Sequence, residues 1–355
     1  MAGVGGIGSG YASAPHDTVE KFVEFVSTAQ AIRSGSLVLL FLFAVVNRKI
    51  WFGLDTLLTT LAGLVLVLCP QCLLEFQISR QVLDGVDLQV ARMIGCVLLG
   101  NSVLWFLATK RTKDPESVHP SLLLTRVITN GVLLIAIIDI QLFSKAWGPE
   151  HLTFGALGVL LWGIGNLVHL VRGGYPGGHL QIPGRGVNHS LLSDFAISVF
   201  VGFTLYGFPR WFLRNFTLVR TLDGAHEHLT RALGAAIFGT GLFAFQAVGF
   251  KNIEDKQAHF IQRITINLLL MASTVFAQTF YFREWNITNN WAVVFALTLW
   301  TIHAYLGLQS EPYQIRYTSG PNRVYQTRER IVTSVGDRSG LKARGGLVPE
   351  YDRED

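Results

Sequence analysis

Charged residues, cysteine and catalytic motifs are all scarce in this chain of 355 residues. Asp, Glu, Lys and Arg make up only 15% of the chain, whereas about 25% is usual for a soluble domain. Three cysteines are too few for a disulfide framework. The chain contains no P-loop, no H-E-x-x-H and no G-x-S-x-G motif. These absences argue against a soluble or disulfide-stapled domain, and they predict a protein that is not an enzyme and holds no cofactor or metal.

Apolar residues are abundant instead. They make up 50% of the chain, and the mean hydropathy is +0.38. They cluster in runs of about 20 residues, the length that crosses about 30 Å of hydrocarbon. The predicted class is therefore an all-α polytopic helical membrane protein, whose partners are the lipid bilayer and other membrane proteins. The net charge of +5 indicates a loop bias that sets orientation, and it does not indicate a nucleic-acid surface.

One stretch of the sequence occurs twice. Residues 55–100 reappear as residues 194–239 when the numbering is shifted by 139, and no gap is needed. The match includes Asp, Gly, Pro and Arg residues, which two unrelated apolar segments seldom share at fixed offsets. Matched pairs are Asp55 and Asp194, Gly63 and Gly202, Pro70 and Pro209, Asp84 and Asp223, Arg92 and Arg231, Gly95 and Gly234, and Gly100 and Gly239; further on, Arg126, Asn130 and Trp162 match Arg263, Asn267 and Trp300. The sequence therefore predicts a tandem duplication.

Each copy is predicted to contain four spans, in a fold of two tandem parallel four-helix repeats. The eight spans cover residues 53–69, 88–109, 120–143, 152–171, 191–208, 228–250, 258–282 and 289–308. An even number of spans returns the chain to its starting side, so both copies share one orientation. The predicted domains are a disordered N-terminus without signal-peptide features (1–16), an interfacial helix and a short apolar segment (17–50), the first repeat (51–172), a Gly/Pro-rich linker (173–190), the second repeat (191–310) and a disordered charged tail (311–355).

Basic residues predict the orientation of these spans. The loops after spans two, four and six carry more Lys and Arg than the loops on the opposite side, which predicts that both termini are cytoplasmic. The membrane is predicted to be an endomembrane, such as the endoplasmic reticulum, or the plasma membrane. Residues 36–46 are apolar but too short to span as a helix at 1.5 Å per residue. They form either a buried segment or the end of a ninth span.

Charges within membrane spans are costly, so they are candidate functional residues. Asp55 and Arg126 fall near the same face of the predicted membrane, and so do Asp194 and Arg263. On the other face, the acids of two Asp-Gly turns precede an arginine in each copy, Asp84 before Arg92 and Asp223 before Arg231. We interpret all eight residues as duplicated structural ion pairs, with the Asp-Gly turns capping helices. A proton or ion relay is the alternative.

Three weaker patterns have structural interpretations. Cys69 and Cys72 have redox spacing, but they end a membrane span and match aromatic residues in the second copy, which favours interface packing. The sequence His226-Glu227-His228 lacks the spacing of four that places two histidines on one helix face, so it predicts a solvated loop. Small residues four apart in spans two and six predict close helix packing.

Each copy resembles one known family. An apolar span ends in proline, a loop of about twenty residues follows, and Arg-x-x-Gly opens the next span, as Arg92–Gly95 and Arg231–Gly234. This arrangement is similar to the small four-span membrane proteins described as inducible by a tumour-suppressor transcription factor. The resemblance implies that the chain contains two such units in tandem. It implies no catalytic residues.

The sequence favours a membrane scaffold or accessory subunit. The alternative is a transporter or channel for small solutes or ions, with a polar path between the two copies. Such a path would involve Asn101, Ser102, Asn130, Thr240 and Asn267. A dry interface between the copies would favour the scaffold, and a polar cavity at the membrane midplane would favour transport.

Overall fold

The protein is described by a computed structural model. It describes residues 32, 34–75, 77–78, 83–144, 146–151, 155–173 and 185–310. The predicted disordered N-terminus, most of the interfacial helix, most of the linker and the charged tail lie outside these residues. The helices, in chain order, are α1 (Ser34–Val45), α2 (Arg48–Leu68), α3 (Pro70–Leu74), α4 (Gly85–Lys110), α5 (Pro115–Phe143), α6 (Pro149–His151), α7 (Leu157–Gly173), α8 (Arg185–Gly207), α9 (Pro209–Phe216), α10 (Gly224–Ala247), α11 (Ile253–Phe280) and α12 (Ile287–Gln309).

Helices account for almost all of the described chain, apart from two isolated β-bridges. Six helices are long and apolar enough to cross a membrane, namely α2, α4, α5, α8, α11 and α12. Large apolar side chains such as Leu57, Phe200 and Phe295 point outward and are more than half exposed, as expected for surfaces that face lipid. The prediction of an all-α polytopic membrane protein is therefore confirmed.

The prediction of eight spans is not settled by length and composition. Two further predicted spans fall on helices outside this set, because α7 has only 17 residues and α10, although 24 residues long, is not apolar enough. The short segment before α2 is a helix of 12 residues, α1, so the ninth span stays a prediction. The linker is shorter than predicted, because residues 185–190 already belong to α8.

The helices pack in a crossed pattern. Helix α2 packs against α4, and α8 packs against α10. Helix α11 packs against α4, and α5 packs against α10. One helix of each half of the chain therefore packs against a helix of the other half. Helices α4 and α10 also contact each other at the centre. The four central helices therefore join the two halves into one bundle.

Two glycine pairs allow the closest of these approaches. A Cβ atom added to Gly95 would lie 2.8 Å from the carbonyl oxygen of Gly63, and one added to Gly234 would lie 2.7 Å from that of Gly202. Real Cβ atoms do not approach oxygen this closely, so only glycine fits at these crossings. The packing of small residues replaces the hydrophobic drive that lipid cannot supply between helices.

Candidate functional site

A fully buried polar cluster surrounds Asp194 on α8. Its carboxylate lies 2.9 Å from Nε of Arg263 and accepts hydrogen bonds from Arg263 Nη2 at 3.0 Å, His259 Nε2 at 2.7 Å and Trp300 Nε1 at 2.7 Å. Asp194 and His259 are completely buried, and Arg263 is 1% exposed. Three helices, α8, α11 and α12, therefore meet at one carboxylate.

Neutral groups complete the coordination of Arg263. Its Nη2 also donates to Ser198 Oγ at 2.6 Å and to Thr240 Oγ1 at 2.8 Å, and its guanidinium lies 4.3 Å from the Trp300 ring centroid. A buried cation is stable only when it is paired and its donors are satisfied. Asp194 supplies the counter-charge and three acceptors surround Nη2, whereas Nε lies 2.9 Å from Asp194 Oδ1 without forming a hydrogen bond.

Asp55 on α2 has similar partners. It lies 3.3 Å from Arg126 Nε and accepts a hydrogen bond from Trp162 Nε1 at 2.8 Å. Arg126 Nη2 donates to Thr59 Oγ1 at 2.7 Å. The pair is looser and more open than the pair at Asp194, because the Arg126 side chain is 13% exposed. Leu122 occupies the position in α5 that matches His259.

A small cavity with polar residues in its lining reaches both Arg126 and Thr240, which is a partner of Arg263 in the Asp194 cluster. Its volume is about 30 Å³, and it is lined by residues of α4, α5, α10 and α11 that include Asn101, Thr125, Thr240 and Gln262. Gln262 donates to Asn101 Oδ1 at 2.6 Å and lies 3.1 Å from His259 Nδ1. The cavity has room for only a few water molecules, so it is a polar contact between the halves rather than an open path.

The remaining polar residues of the predicted path have different surroundings. Ser102 donates to backbone carbonyls of its own helix. Asn267 is completely buried, and neither polar atom of its amide has a hydrogen-bond partner among the described residues. The Asn130 Nδ2 atom has none either. These two asparagines occupy matched positions in α5 and α11.

The prediction that Asp84 pairs with Arg92, and Asp223 with Arg231, is wrong. Asp84 caps α4 by accepting from the backbone N–H groups of its first turn, and Asp223 caps α10 in the same way. Arg92 donates to Tyr281 Oη at 3.0 Å, and Arg231 pairs with Asp139. Eight residues of helix rise about 12 Å, so each arginine lies too far along the helix to turn back to its cap.

The two caps meet at His226, in the first turn of α10. One ring nitrogen lies 2.7 Å from Asp223 Oδ1, and the other lies 2.8 Å from Asp84 Oδ2 and 3.7 Å from Asp87 Oδ1. Burial lowers the pKa of His226, but hydrogen bonds and negative charge from Asp223 and Asp84 outweigh it and raise the pKa to about 8. Asp84, Asp87 and His226 offer ligand atoms within 4.8 Å of one another, the type of donor set that holds a divalent cation. An imidazolium between carboxylates accounts for the same geometry.

The prediction of a solvated loop at His226-Glu227-His228 is also wrong. All three side chains are buried at the start of α10. The Asp-Gly cap begins the helix before His226, and α4, α6 and α9 cover it. His228 lies against the rings of His151 and Trp147, and Glu227 pairs with Arg210 at 2.5 Å.

Cys69 and Cys72 form a disulfide at the junction of α2 and α3. The predicted packing role therefore omitted the covalent bond between these two residues. Pro70 starts α3 directly after Cys69, and the resulting turn brings the two sulfur atoms together.

Sequence reasoning missed the histidine and hydroxyl partners of the charges. His259 lies four residues before Arg263, so the helical period places both on one face of α11. Thr59 and Ser198 each follow an aspartate by four residues and occupy matched positions in the predicted repeat. These spacings of four residues could have predicted both kinds of contact from the sequence.

A family model described as a domain of unknown function (DUF8292) matches residues 53–309. That range includes more than half of the chain. The chain belongs to this family. The match begins within α2 and ends at the last residue of α12, so the family model extends over both predicted copies. No curated protein and no solved structure matches the chain.

Proposed function

We propose that this member of the DUF8292 family is a non-enzymatic membrane scaffold or accessory subunit. The closed coordination of Asp194 carries this proposal. A relay or transport site needs a charge that can exchange its partner, whereas this carboxylate is already held by Arg263, His259 and Trp300 at 2.7–3.0 Å. Buried pairs of this kind fix how helices meet.

We also propose that the chain is a tandem duplication with four spans in each copy. Matched residues make matched contacts in the two halves. Trp162 donates to Asp55, and Trp300 donates to Asp194. The bridge between residues 78 and 147 matches the bridge between residues 217 and 285, with offsets of 139 and 138. The crossed packing of α4 with α11 and of α10 with α5 fits two copies related by an approximate two-fold axis.

The proposed orientation places both termini in the cytoplasm. The disulfide between Cys69 and Cys72 supports it, because disulfides persist on the oxidising side of a membrane and this turn is on the predicted non-cytoplasmic face. Asn188 begins a glycosylation sequon on the opposite face, where it accepts a hydrogen bond from Lys256 at 2.7 Å. We expect Asn188 to carry no glycan, so glycosidase treatment should remove nothing from this site. Detection of a glycan on Asn188 would show that the true orientation is the opposite one.

Transport of a small solute or ion is the second candidate. The buried amide of Asn267 favours it, because both of its polar atoms lack partners among the described residues and such groups are costly without one. The polar cavity beside Arg126 has a volume of about 30 Å³. A transporter would have to open this region to pass anything larger than a water molecule.

Reconstitution separates the two candidates. The full chain is purified in mild detergent and placed in liposomes under a proton or potassium gradient. The scaffold proposal predicts no flux above that of protein-free liposomes, together with a membrane protein that co-purifies in fixed ratio from native membranes. A flux that Asn267→Leu abolishes, in a variant that still elutes as folded protein, would support transport instead.

A further inference from the structure

An apolar cavity opens on the side of the second half of the chain. Its volume is about 330 Å³, within the range of ligand sites, about 300–1,000 Å³. Residues of α4 and of α8 to α12 line it, among them Phe200, Leu205, Phe212, Ile237, Val293 and Leu297. Phe200 is 72% exposed, so the cavity opens on the outer surface of the bundle, where lipid chains lie.

One polar donor at this cavity is unsatisfied. Trp285 lines the cavity and is 1% exposed, and its indole N–H has no acceptor among the described residues. The matched Trp147 in the first half donates to the carbonyl of Gly224 at 3.4 Å. A buried donor without an acceptor is destabilising. A ligand in this cavity therefore gains affinity if it reaches this donor with an acceptor such as an ester carbonyl.

A charged groove adjoins the apolar cavity. The groove has a volume of about 930 Å³ and shares Trp211 with the cavity. Two of its arginines have carboxylate partners, since Arg210 pairs with Glu227 and Arg231 pairs with Asp139. Arg214 also lines the groove, is exposed, and makes no ion pair with a described residue. The groove therefore has one positive charge available for an anion.

The short helix α9 lies between the two spaces. Its Pro209 and Leu213 are buried, whereas Arg210, Trp211 and Arg214 are exposed. Such a helix suits the boundary between headgroups and acyl chains, where tryptophan and arginine are favoured. The apolar cavity is then at the depth of acyl chains, and the groove is at the depth of phosphates.

We propose that this surface binds one phospholipid of the surrounding bilayer. One acyl chain fills the apolar cavity, an ester carbonyl accepts the Trp285 N–H, and the phosphate pairs with Arg214. Neither space alone fits an amphipathic ligand, whereas together they present apolar, hydrogen-bonding and cationic surfaces in the order in which a phospholipid carries its parts. The inference depends on the membrane setting and not on the scaffold role.

Two neighbouring valines on α12 provide a matched test. Val293 lines the cavity, whereas Val294 does not, and both are half-buried. Purified full-length chain in mild detergent is titrated with dioleoyl phosphatidylglycerol, and the bound fraction is measured by native mass spectrometry. We expect Val293→Phe to weaken binding about tenfold, because the added ring overlaps the acyl chain. Val294→Phe should bind as the wild type does.

Arg214→Gln tests the phosphate contact at an exposed position where folding is not at risk. Loss of a charge-assisted hydrogen bond should weaken phosphatidylglycerol binding about tenfold. Binding of dioleoylglycerol, which carries the same acyl chains and esters but no charge, should stay unchanged. Equal binding by both valine variants would overturn the acyl-chain site. If inorganic phosphate competes as strongly as the lipid does, the site binds free anions and not a phospholipid. If the Arg214→Gln variant binds phosphatidylglycerol with wild-type affinity, Arg214 does not contact the phosphate.

Discussion

Replacement of Asp194 by asparagine tests the main polar contact of the bundle. The change keeps the size of the side chain and one oxygen acceptor, but it removes the negative charge. Arg263 then remains 1% exposed beside neutral partners only, since Ser198 and Thr240 carry no charge. His259 also loses the carboxylate that it contacts at 2.7 Å. The variant therefore leaves a buried cation without a counter-charge.

The expected loss follows from burial. Removing one partner of a buried ion pair costs about 3–5 kcal/mol. The matched change Asp55→Asn should cost less, about 1.5–3 kcal/mol, the value of one hydrogen bond to a charged group. The reason is geometric: the Asp55 pair spans 3.3 Å and the Arg126 side chain is 13% exposed, so Arg126 can move toward water.

Reversible unfolding in mixed micelles measures both losses. Helicity of the wild type and of the two variants is followed by circular dichroism as the fraction of denaturing detergent rises. The prediction is that both variants unfold earlier than the wild type and that Asp194→Asn unfolds earliest. Equal losses, or a loss below about 1 kcal/mol for Asp194→Asn, would refute the argument that closed coordination makes this pair indispensable.

Three further changes test separate features. The pKa of His226 is raised to about 8, so its protonation contributes about 2 kcal/mol to the free energy of unfolding below about pH 6.5, and this contribution is lost as the pH rises through 8. His226→Gln should remove this pH dependence from the unfolding curves. An unchanged pH dependence in the variant would contradict the assignment to His226. Gly202→Val should lower the free energy of unfolding by at least about 1–3 kcal/mol through overpacking, because an added Cβ atom would lie 2.8 Å from the Gly234 carbonyl oxygen. Gly131→Ala is the control: its added Cβ atom has no neighbour within 4 Å, so this change should cost nothing. In sealed native vesicles, maleimide should label Cys69 and Cys72 only after reduction, and labelling without reductant would disprove the disulfide.

The sequence was sufficient to predict the helices and the deep pairs. Eight apolar runs predicted the positions of the long helices, because span length is set by the thickness of the bilayer. Asp194 and Arg263 were predicted together because a charge in lipid needs a partner at its own depth, and few opposite charges are available there. Periodicity, repeat and depth are properties that a linear sequence retains.

Contacts between the two halves could not be predicted in the same way. Arg92 was assigned to the nearest acid in its own copy, but it contacts Tyr281 of the other half. The buried position of His226 depends on Asp84, which precedes it by 142 residues. A repeat indicates which residues correspond, but it does not indicate that the third helix of one copy packs on the second helix of the other.

Differences between matched positions indicate where the two halves have separate tasks. Deep in the bundle, the second half has His259 and the buried Asp194–Arg263 pair. At the matched positions, the first half has Leu122 and the more open pair of Asp55 with Arg126. At the outer surface, Trp211 and Arg210 of α9 replace Cys72 and Gln71 of α3. Both differences fall around the second half, one at its centre and one at the apolar cavity. The glycine crossings, which set the distance between helices, are the same in both halves. The matched residues therefore define a common frame, and the residues that differ lie around the surface that we propose binds a phospholipid.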